Sequence, residues 1–437
     1  MDPATLAGLI LLVGIAGLIL LSVPIAVAVG LSATVATIAV LGLDNAVLVS
    51  SQQIFTGTNS FSLLAIPFFV LAGVLMNNGG IAARLVDAAK VLVGRAPGSL
   101  AQTNVVANAL FGSVSGAAVA SAAAVGGVMG PRQRAEGYDP AFAASVNAAS
   151  APAGMLIPPS NTFIVYSLVS GSSIAALFMA GYGPGLLWTL ACMVIVYARS
   201  RRRPELKGSG GVTLRQAAGV VWKAVPSLLM ILIVIGGILA GFFTPTESAA
   251  IAVLYCLVLG FAYRNIKVGH LPGILLNATR TTAIVMILVG VSSVMSWVMS
   301  FTGIPGLVSD ALLGMSDNPT VILVLMMLIL LVVGTFMDPT PAILIFTPIF
   351  LPIVQEFGID PVHFGMMIVF NLCLGTITPP VGNVLFIAAR VGEQRIEPVI
   401  RQLLPFFAAL VVVLFLVVFV PEISTWLPTE LGLIKGS

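Results

Sequence analysis

Long apolar runs are the feature that most limits what this chain can fold into. From Leu403 to Val420 there is no charged residue, and several other runs are similar. Hydrophobic residues make up 59% of the 437, charged residues only 8%, and mean hydropathy is +1.11. A water-soluble fold cannot bury that much apolar surface. Helices and closed barrels alone satisfy their backbone in lipid, and unbroken runs exclude the alternating barrel pattern. The sequence predicts an all-α polytopic membrane protein.

The spans follow from run length, since a crossing helix needs roughly 20 apolar residues. We expect two helices within 5–43, joined near Pro24, and then spans at about 62–79, 140–170, 174–198, 226–243, 246–263, 280–301, 361–389 and 403–420. Three further segments, 80–95, 212–224 and 303–314, are amphipathic and are expected to lie along the membrane interface.

Two regions, 99–131 and 319–353, each contain two apolar arms around a break. The breaks are Gly112-Ser-Val-Ser-Gly116 and Gly334-Thr-Phe-Met-Asp-Pro339. Arms of roughly 15 residues are short for a crossing, so we predict re-entrant hairpins. Every Lys and Arg except Lys435 then falls on one side, including Arg95, Arg215 and the run from Arg199 to Lys207. The positive-inside rule makes that side cytoplasmic and places both termini outside.

The second half of the chain repeats a pattern of the first half. At an offset of 221, Gly137, Asp139, Pro140, Gly154, Pro158 and Pro159 coincide with Gly358, Asp360, Pro361, Gly375, Pro379 and Pro380. Four spans and one hairpin separate the two Pro-Pro helices, so the copies are inverted. Inverted repeats with interrupted helices indicate a secondary transporter whose site lies near the bilayer midplane.

We divide the chain into N-terminal scaffold helices (1–60), a first repeat (61–200), central scaffold helices and a linker (201–279), a second repeat (280–420) and an external tail (421–437).

The Pro-Pro breaks predict a substrate site. Proline frees backbone carbonyls from the helical ladder, and the half-helix that follows points its N–H groups at any anionic ligand. A proline kink that only packs against neighbouring helices is the alternative for one isolated break. The candidate substrate-binding residues are Pro158, Pro159, Ser160, Asn161, Thr162, Pro379, Pro380, Gly382 and Asn383.

Asp338 is the one acidic residue that this layout places at a hairpin tip deep in the membrane. Intramembrane carboxylates are functional by default, and the oxygen-rich surroundings fit sodium or a proton. The alternative is a protonated Asp338 that caps the arm beginning at Pro339. Its candidate metal-site neighbours are Gly334, Thr335, Gly375, Thr376 and Thr378, and the first-half equivalents are Ser113, Ser115, Gly116, Ser150 and Gly154. Close helix packing explains the first-half residues equally well.

The remaining polar residues indicate no catalysis. Cys192, Cys256 and Cys373 are expected to pack, Glu247 to take part in a helix cap, and neither histidine to bind a metal. An intramembrane hydrolase needs a base or a second carboxylate beside its nucleophile, and the spans offer neither a second deep Asp nor a deep His. A gated channel is a third possibility. The net charge of +3 is too small and dispersed for nucleic acid.

The motifs Ser113-Val-Ser-Gly116, Gly154-Met-Leu-Ile-Pro-Pro-Ser160, Gly334-Thr-Phe-Met-Asp338 and Gly375-Thr-Ile-Thr-Pro-Pro380 together resemble the large membrane subunit of tripartite ATP-independent periplasmic (TRAP) transporters. The resemblance covers essentially the whole chain. It implies an elevator-type transporter of the ion-transporter superfamily in the bacterial inner membrane, which imports a small organic acid, such as a sialic acid or a C4-dicarboxylate, with sodium.

The resemblance also implies at least two Na⁺ sites. Ser113, Ser115, Ser150 and Gly154 map to one, and Thr335, Asp338, Gly375 and Thr378 to the other; relatives often carry a hydroxyl where this chain has Ala117. Two partners are implied, a periplasmic substrate-binding protein and a small four-helix membrane subunit, the latter expected as a separate polypeptide. A stand-alone sodium- or proton-coupled anion transporter of the same superfamily is the alternative.

Overall fold

The structure is a computed structural model that describes residues 2–94, 96–201, 214–314 and 318–434, without the side chains of 114, 214–217, 221, 312 and 313. Arg95, the run beyond Arg201, the Arg215 side chain and Lys435 therefore lie outside the described residues. The described residues are 84% helical. Its helices are α1 (Pro3–Leu20), α2 (Ile25–Leu41), α3 (Leu43–Thr58), α4 (Ala65–Asn78), α5 (Ile81–Val93), α6 (Ser99–Ser115), α7 (Ala118–Ala135), α8 (Pro140–Ser150), α9 (Ala153–Leu156), α10 (Asn161–Ser170), α11 (Ile174–Ser200), α12 (Leu214–Leu239), α13 (Pro245–Ala262), α14 (Leu271–Thr302), α15 (Ile304–Leu313), α16 (Pro319–Phe336), α17 (Pro339–Glu356), α18 (Pro361–Gly375), α19 (Asn383–Val391), α20 (Ile396–Phe419) and α21 (Glu422–Glu430).

The helices confirm the predicted helical membrane fold. Within the described ranges, nine helical segments are long and apolar enough to cross a bilayer. The first two helices are joined by a short turn at Pro24, and both Pro-Pro helices are interrupted, the first between α9 and α10 and the second between α18 and α19. The apolar residues of the chain thus lie both in the buried core and on the helix surfaces that would face lipid.

Several predicted boundaries are wrong. Helix α3 was not expected, because its Ser and Gln residues lower the hydropathy of 43–58. The amphipathic segment 212–224 is not separate from the next span; one helix, α12, runs through Pro226. Helix α14 begins at Leu271, well before 280, and the predicted external tail after 421 contains α21. Hydropathy locates only the apolar part of a helix, whereas the backbone hydrogen bonds of the helix continue beyond that part. The predicted spans 226–243 and 280–301 are therefore shorter than α12 and α14.

Both predicted hairpins reverse direction at their breaks. Asn108 of α6 donates hydrogen bonds to Asn147 and Ser150 of α8, while Gly112 lies against Gly154. Helix α6 therefore runs parallel to α8, and α7 returns to where α8 begins. In the second repeat, Asn371 of α18 donates to the Met327 carbonyl of α16, while Gly375 lies against Gly334, so α16 runs parallel to α18 and α17 returns. The arms are 17 or 18 residues, not roughly 15, so the position of the tips, and not arm length, makes them re-entrant.

The two repeats are inverted, as contacts between the broken helices demonstrate. Tyr166, in the last part of the first broken helix, donates a hydrogen bond to the carbonyl of Pro361 at the start of the second. At the other end, a Cβ on Gly392, just after α19, would lie 2.9 Å from the Cβ of Ala144 in α8. The end of each broken helix therefore lies beside the start of the other, and the two run antiparallel.

Equivalent residues shape the backbone at both starts. Gly137 and Gly358 have φ of 78° and 74°, and each precedes an aspartate that caps the following helix. Asp139 accepts from the N–H of Ala141, and Asp360 from the N–H groups of Val362 and His363. Both Pro-Pro bonds, 158–159 and 379–380, are cis. The sequence repeat is thus a repeat of backbone geometry.

Many basic side chains meet at one end of the bundle, called the basic end below. Arg132 and Arg134 pair with Asp87 and Glu393 at 2.9 and 3.0 Å, and Arg199 hydrogen-bonds to Gln402. Arg84 stacks 3.4 Å over the centroid of the Tyr263 ring, and Asn265 donates to the Gly79 carbonyl. These contacts join the ends of helices from the scaffold and from both repeats. The four arginines in these contacts therefore lie at the same end of the bundle.

Glu247 and His363, which lie outside the motifs, both have hydrogen-bond partners. All three cysteines are free and buried. Thr244 and Glu247 form a capping box at the start of α13. The His363 ring lies 2.9 Å from the Ser424 hydroxyl and 3.3 Å from the Val418 carbonyl, which joins α18 to α21. The segment predicted as a tail is therefore packed against the second repeat.

Candidate functional site

One contact between two glycines holds each hairpin tip against the break in the helix of its own repeat. A Cβ on Gly112 would lie 2.5 Å from the Cα of Gly154, and a Cβ on Gly375 would lie 2.5 Å from the carbonyl carbon of Gly334. Real Cβ atoms do not approach other atoms this closely. Only glycine lets the two backbones meet here, and this brings both tips to the middle of the broken helices.

The first tip carries hydroxyl groups that donate to backbone carbonyls. Ser113 Oγ donates to the Leu110 carbonyl at 2.9 Å, and Ser115 Oγ has two carbonyl oxygens at 3.5 Å. Gly116, at φ 61°, turns the chain beside Asn161, whose backbone nitrogen would be 3.2 Å from a Cβ there. The start of α10 therefore faces the first tip directly.

Ser150 is committed to a buried polar cluster. Its hydroxyl donates to the Val146 carbonyl at 2.7 Å and accepts from Asn108 Nδ2 at 2.8 Å. One lone pair of its oxygen remains. Sequence analysis missed this cluster, which joins α6, α7 and α8 and comprises Asn104, Asn108, Ser121, Asn147 and Ser150. Its signal is the spacing of Asn104 and Asn108, four residues apart on one helix face.

At the second tip and in the helix break that faces it, three threonine hydroxyls also donate to backbone carbonyls. Thr335, Thr376 and Thr378 donate to backbone carbonyls at 2.7, 2.6 and 2.7 Å. A hydroxyl that donates its proton to a carbonyl leaves its oxygen lone pairs for a cation. The atoms available here as metal ligands are all hard oxygen atoms, the type that alkali and alkaline-earth cations prefer. The residues present thus fit a small cation.

Asp338 occupies the N-cap position of α17 without making a capping hydrogen bond. Its Oδ1 accepts a long hydrogen bond, 3.5 Å, from Asn383 Nδ2 at the start of α19. The capping alternative therefore has no support in the side-chain geometry. The carboxylate is instead free to face a ligand.

Ser160 and Thr162 close the first helix break. Ser160 Oγ donates to the Met155 carbonyl at 2.5 Å, Thr162 Oγ1 does so at 3.2 Å, and the two hydroxyls are 2.7 Å apart. In the second repeat the equivalent contact is made by backbone, since the N–H groups of Gly382 and Val384 donate to the Thr335 and Thr376 carbonyls. Both breaks are thus fixed by hydrogen bonds that a regular helix does not make.

A cavity of about 170 Å³ lies where both tips and both breaks converge. Gly116 and Ala117 come from the first tip, Asp338 from the second, and the opposite wall belongs to α4 and α14. From here on we count α4 and α14 with the scaffold, because they lie outside the hairpins and the broken helices. Among the described lining residues Asp338 is the only charged one. The full lining is Ile66, Val70, Gly116, Ala117, Ala118, Val119, Met155, Asn161, Thr162, Val165, Thr281, Val285, Asp338, Pro339, Thr340, Thr376 and Val384. We call this the central cavity.

The central cavity contains some of the predicted site residues and not others. Gly116, Asn161, Thr162, Asp338 and Thr376 line it. The remaining predicted residues lie in the tips and breaks but do not line it, and are Ser113, Ser115, Ser150, Gly154, Pro158, Pro159, Ser160, Gly334, Thr335, Gly375, Thr378, Pro379, Pro380, Gly382 and Asn383.

The scaffold residues Thr281 and Val285 of α14 were missed, because they lie far from the breaks in sequence. Thr340 is also new; it follows Asp338-Pro339 and carries the nearest additional hydroxyl of that arm. Only the folded chain brings α4 and α14 against the hairpin tips. No sequence signal locates these residues.

Comparison with known proteins agrees with this geometry. The family model described as "Tripartite ATP-independent periplasmic transporter, DctM component" matches residues 12–423. The chain is 53% identical to "Uncharacterized protein YgiK" of Salmonella typhimurium, covering 98% of this chain and 99% of that one. It is 40% identical to the "Sialic acid TRAP transporter large permease protein SiaM" of Vibrio cholerae, covering 92% and 94%.

A solved structure shares the fold. The YdaH transporter of Alcanivorax borkumensis superposes with a TM-score of 0.64 at 15% sequence identity, over 90% of each chain. Several relatives are named as transporter permease subunits, in line with the expectation that the chain is a multi-pass transport protein and not an enzyme. The chain belongs to the DctM family, the large membrane component of the tripartite ATP-independent periplasmic transporters of the inner membrane.

Proposed function

We propose that this chain is the translocating subunit of a sodium-coupled importer for a small organic acid. The observation that carries the proposal is the central cavity, where two inverted hairpin tips and two helix breaks converge around one carboxylate, Asp338. Inverted repeats with broken helices place ligand sites at such a convergence. Sialic acids and C4-dicarboxylates are the candidate substrates, as named for relatives.

Sodium binds at the two tips in this proposal. In the second tip Asp338 supplies the charge, and the oxygens of Thr335 and Thr378 with the backbone at Gly375 complete the ligand set. In the first tip the oxygens of Ser113, Ser115 and Ser150 and the backbone at Gly154 hold a second ion without a carboxylate. A cation here offsets the cost of charge inside the membrane.

The organic acid binds in the central cavity. Helix α10 begins there with Asn161, and its N-terminal N–H groups and the Asn161 side-chain amide donate to a carboxylate. None of the described lining residues is basic, so bound sodium supplies the positive charge that attracts the anion. Substrate and sodium therefore bind together, and coupling follows from their mutual attraction.

Translocation is an elevator movement of the hairpins and broken helices along α4 and α14. The cavity touches α14 at Thr281 and Val285, nearer to its start at the basic end than to its other end. With the basic end in the cytoplasm and both termini outside, this is the inward-facing state. A small membrane subunit on a separate chain supports the scaffold, and a periplasmic binding protein delivers the acid.

Uptake into vesicles tests the proposal. The chain is reconstituted with the small membrane subunit and the binding protein, and a panel of acids named for relatives is offered, comprising sialic acid, a C4-dicarboxylate, 2,3-diketo-L-gulonate and isethionate. We expect one acid to accumulate under an inward sodium gradient and only with the binding protein present. Moving one uncompensated charge across the membrane changes the free energy by about 2.3 kcal/mol per 100 mV. Uptake in which the sodium charges outnumber the charges of the acid therefore responds to the membrane voltage. Unchanged uptake after sodium is replaced by potassium contradicts sodium coupling, and uptake without the binding protein identifies a stand-alone transporter.

A further inference from the structure

A second cavity, of about 460 Å³, lies between the scaffold and the second repeat's hairpin. Its volume is in the range of small-molecule sites, roughly 300–1,000 Å³. We call it the serine cavity, because four serines of α14 line it. Its lining is Gln53, Thr56, Gly57, Ser60, Leu168, Val169, Val289, Ser292, Ser293, Ser296, Trp297, Ser300 and Leu344.

The serine cavity lies next to the central cavity, one helical turn farther from the basic end. On α14 the central cavity ends at Val285 and the serine cavity begins at Val289. Four helical residues rise roughly 6 Å. The same succession occurs on two more helices, from Val165 to Leu168 on α10 and from Thr340 to Leu344 on α17. About one helical turn therefore separates the two cavities along all three helices.

The two walls of the serine cavity differ in polarity. The scaffold wall, from α3 and α14, presents hydroxyls, the Gln53 amide and the Trp297 indole. The opposite wall consists of Leu168, Val169 and Leu344. No charged residue is among the described residues that line it. Such a wall offers hydroxyl and amide hydrogen-bond donors, without a positive charge, to a hydroxylated or carboxylated molecule.

Ser292 shows that this wall is incomplete without a ligand or water. Its side chain is 3% exposed, yet its Oγ has no hydrogen-bond partner among the described residues. The neighbouring Ser293 donates to the carbonyl of Val289 in its own helix at 3.0 Å. A buried polar atom normally has a partner, and an exception requires an explanation. The cavity that Ser292 lines provides the missing partner.

We propose that the serine cavity is a second, sodium-independent binding site for the transported organic acid, occupied before the acid reaches the central cavity. This inference rests on the proposed function. Hydroxyl and amide groups of Ser292, Ser296 and Gln53 donate to the acid's carboxylate and hydroxyl oxygens. Because no cation contributes, the acid is held weakly and passes on readily.

Thiol labelling in sodium-free medium tests this site separately from sodium-coupled transport. Ser296→Cys is placed in the reconstituted chain, where the three native cysteines are buried. A water-soluble methanethiosulfonate reagent is added with and without each acid of the panel, with potassium as the only alkali cation. We expect the acid that is transported, or another acid of its class, to slow labelling severalfold. No labelling, or labelling unaffected by all four acids, overturns the proposal.

Uptake by Ser292→Ala provides a second measurement. Losing one hydrogen bond to the acid is expected to raise the half-saturating acid concentration about fivefold, with the half-saturating sodium concentration unchanged. The matched control is Thr302→Val on the same helix, whose hydroxyl already donates to Val298 at 2.7 Å and is outside the cavity. Equal acid dependence in Ser292→Ala and wild type means the cavity holds only water and contradicts the proposal. If wild type shows no sodium-dependent uptake, the proposed function fails, and the sodium-free labelling still decides on the serine cavity.

Discussion

Tyr166 and Pro361 join the two inverted repeats, with the tyrosine hydroxyl donating to the proline carbonyl at 2.6 Å. Tyr166 is fully buried near the end of the first broken helix, and Pro361 is the first residue of the second. Trp188 of α11 strengthens the same junction, since its indole donates to the Ala149 carbonyl and packs on Phe370. The two half-sites are therefore fixed to one another, and the central cavity between them has a defined shape.

Removing the Tyr166 hydroxyl is expected to weaken that junction. Tyr166→Phe loses one buried hydrogen bond and leaves the Pro361 carbonyl without this donor, so the free energy of unfolding should fall by about 1 kcal/mol. Thermal unfolding in detergent measures it. Tyr255→Phe is the control, because its hydroxyl donates to the Pro226 carbonyl within the scaffold at 2.8 Å. Both variants should lose stability, and only Tyr166→Phe should alter uptake; equal uptake in the two variants contradicts a junction role.

The glycine contact at the second tip is expected to tolerate no side chain. In Gly375→Ala the new Cβ would meet the Gly334 backbone at 2.5 Å, so the tip must move away from the break. We expect uptake to be lost and stability to fall by about 1–3 kcal/mol, as for overpacked cores. Gly127→Ala is the matched control, since nothing lies within 4 Å of its Cβ position on α7. Wild-type uptake by Gly375→Ala would show that the backbone contact is dispensable.

Asp338 is expected to determine the sodium response. Asp338→Asn keeps the size and the Asn383 contact but removes the negative charge, so sodium should bind at least about tenfold more weakly, the equivalent of 1.4 kcal/mol. The sodium dependence of uptake measures this. Asp310→Asn, an exposed carboxylate on α15, should behave as wild type. An unchanged sodium dependence in Asp338→Asn removes Asp338 from the ion site.

The orientation of the bundle is open to a direct measurement. Glu397→Cys lies at the start of α20 near the basic end, and Glu430→Cys lies in α21; both positions are exposed. We expect a membrane-impermeant thiol reagent to label Glu430→Cys from the periplasm. The same reagent should label Glu397→Cys only after the membrane is permeabilised, so that it reaches the cytoplasmic side. Background should be low because the native cysteines are buried. The reverse labelling pattern would invert the proposed topology.

Sequence alone determined the membrane fold and its internal repeat. Apolar runs set the spans, and Gly and Pro set the breaks, because both act on the backbone through local sterics. Pro158-Pro159 and Gly116 therefore mark the same features in the sequence and in the fold. Helix boundaries were less predictable. Hydropathy alone did not locate helix α3, which contains Ser and Gln residues, or the first turns of α14.

Tertiary structure alone decided which polar groups meet. Sequence places Ser160, Asn161 and Thr162 together at one break, but folding ties Ser160 to the Met155 carbonyl and leaves Asn161 at the central cavity. Likewise, Thr281 and Ser292 lie on one helix, and only packing against the second hairpin places them in separate cavities. The physical reason is range: backbone sterics act between neighbours in the chain, whereas cavities arise from helices brought together by long-range packing.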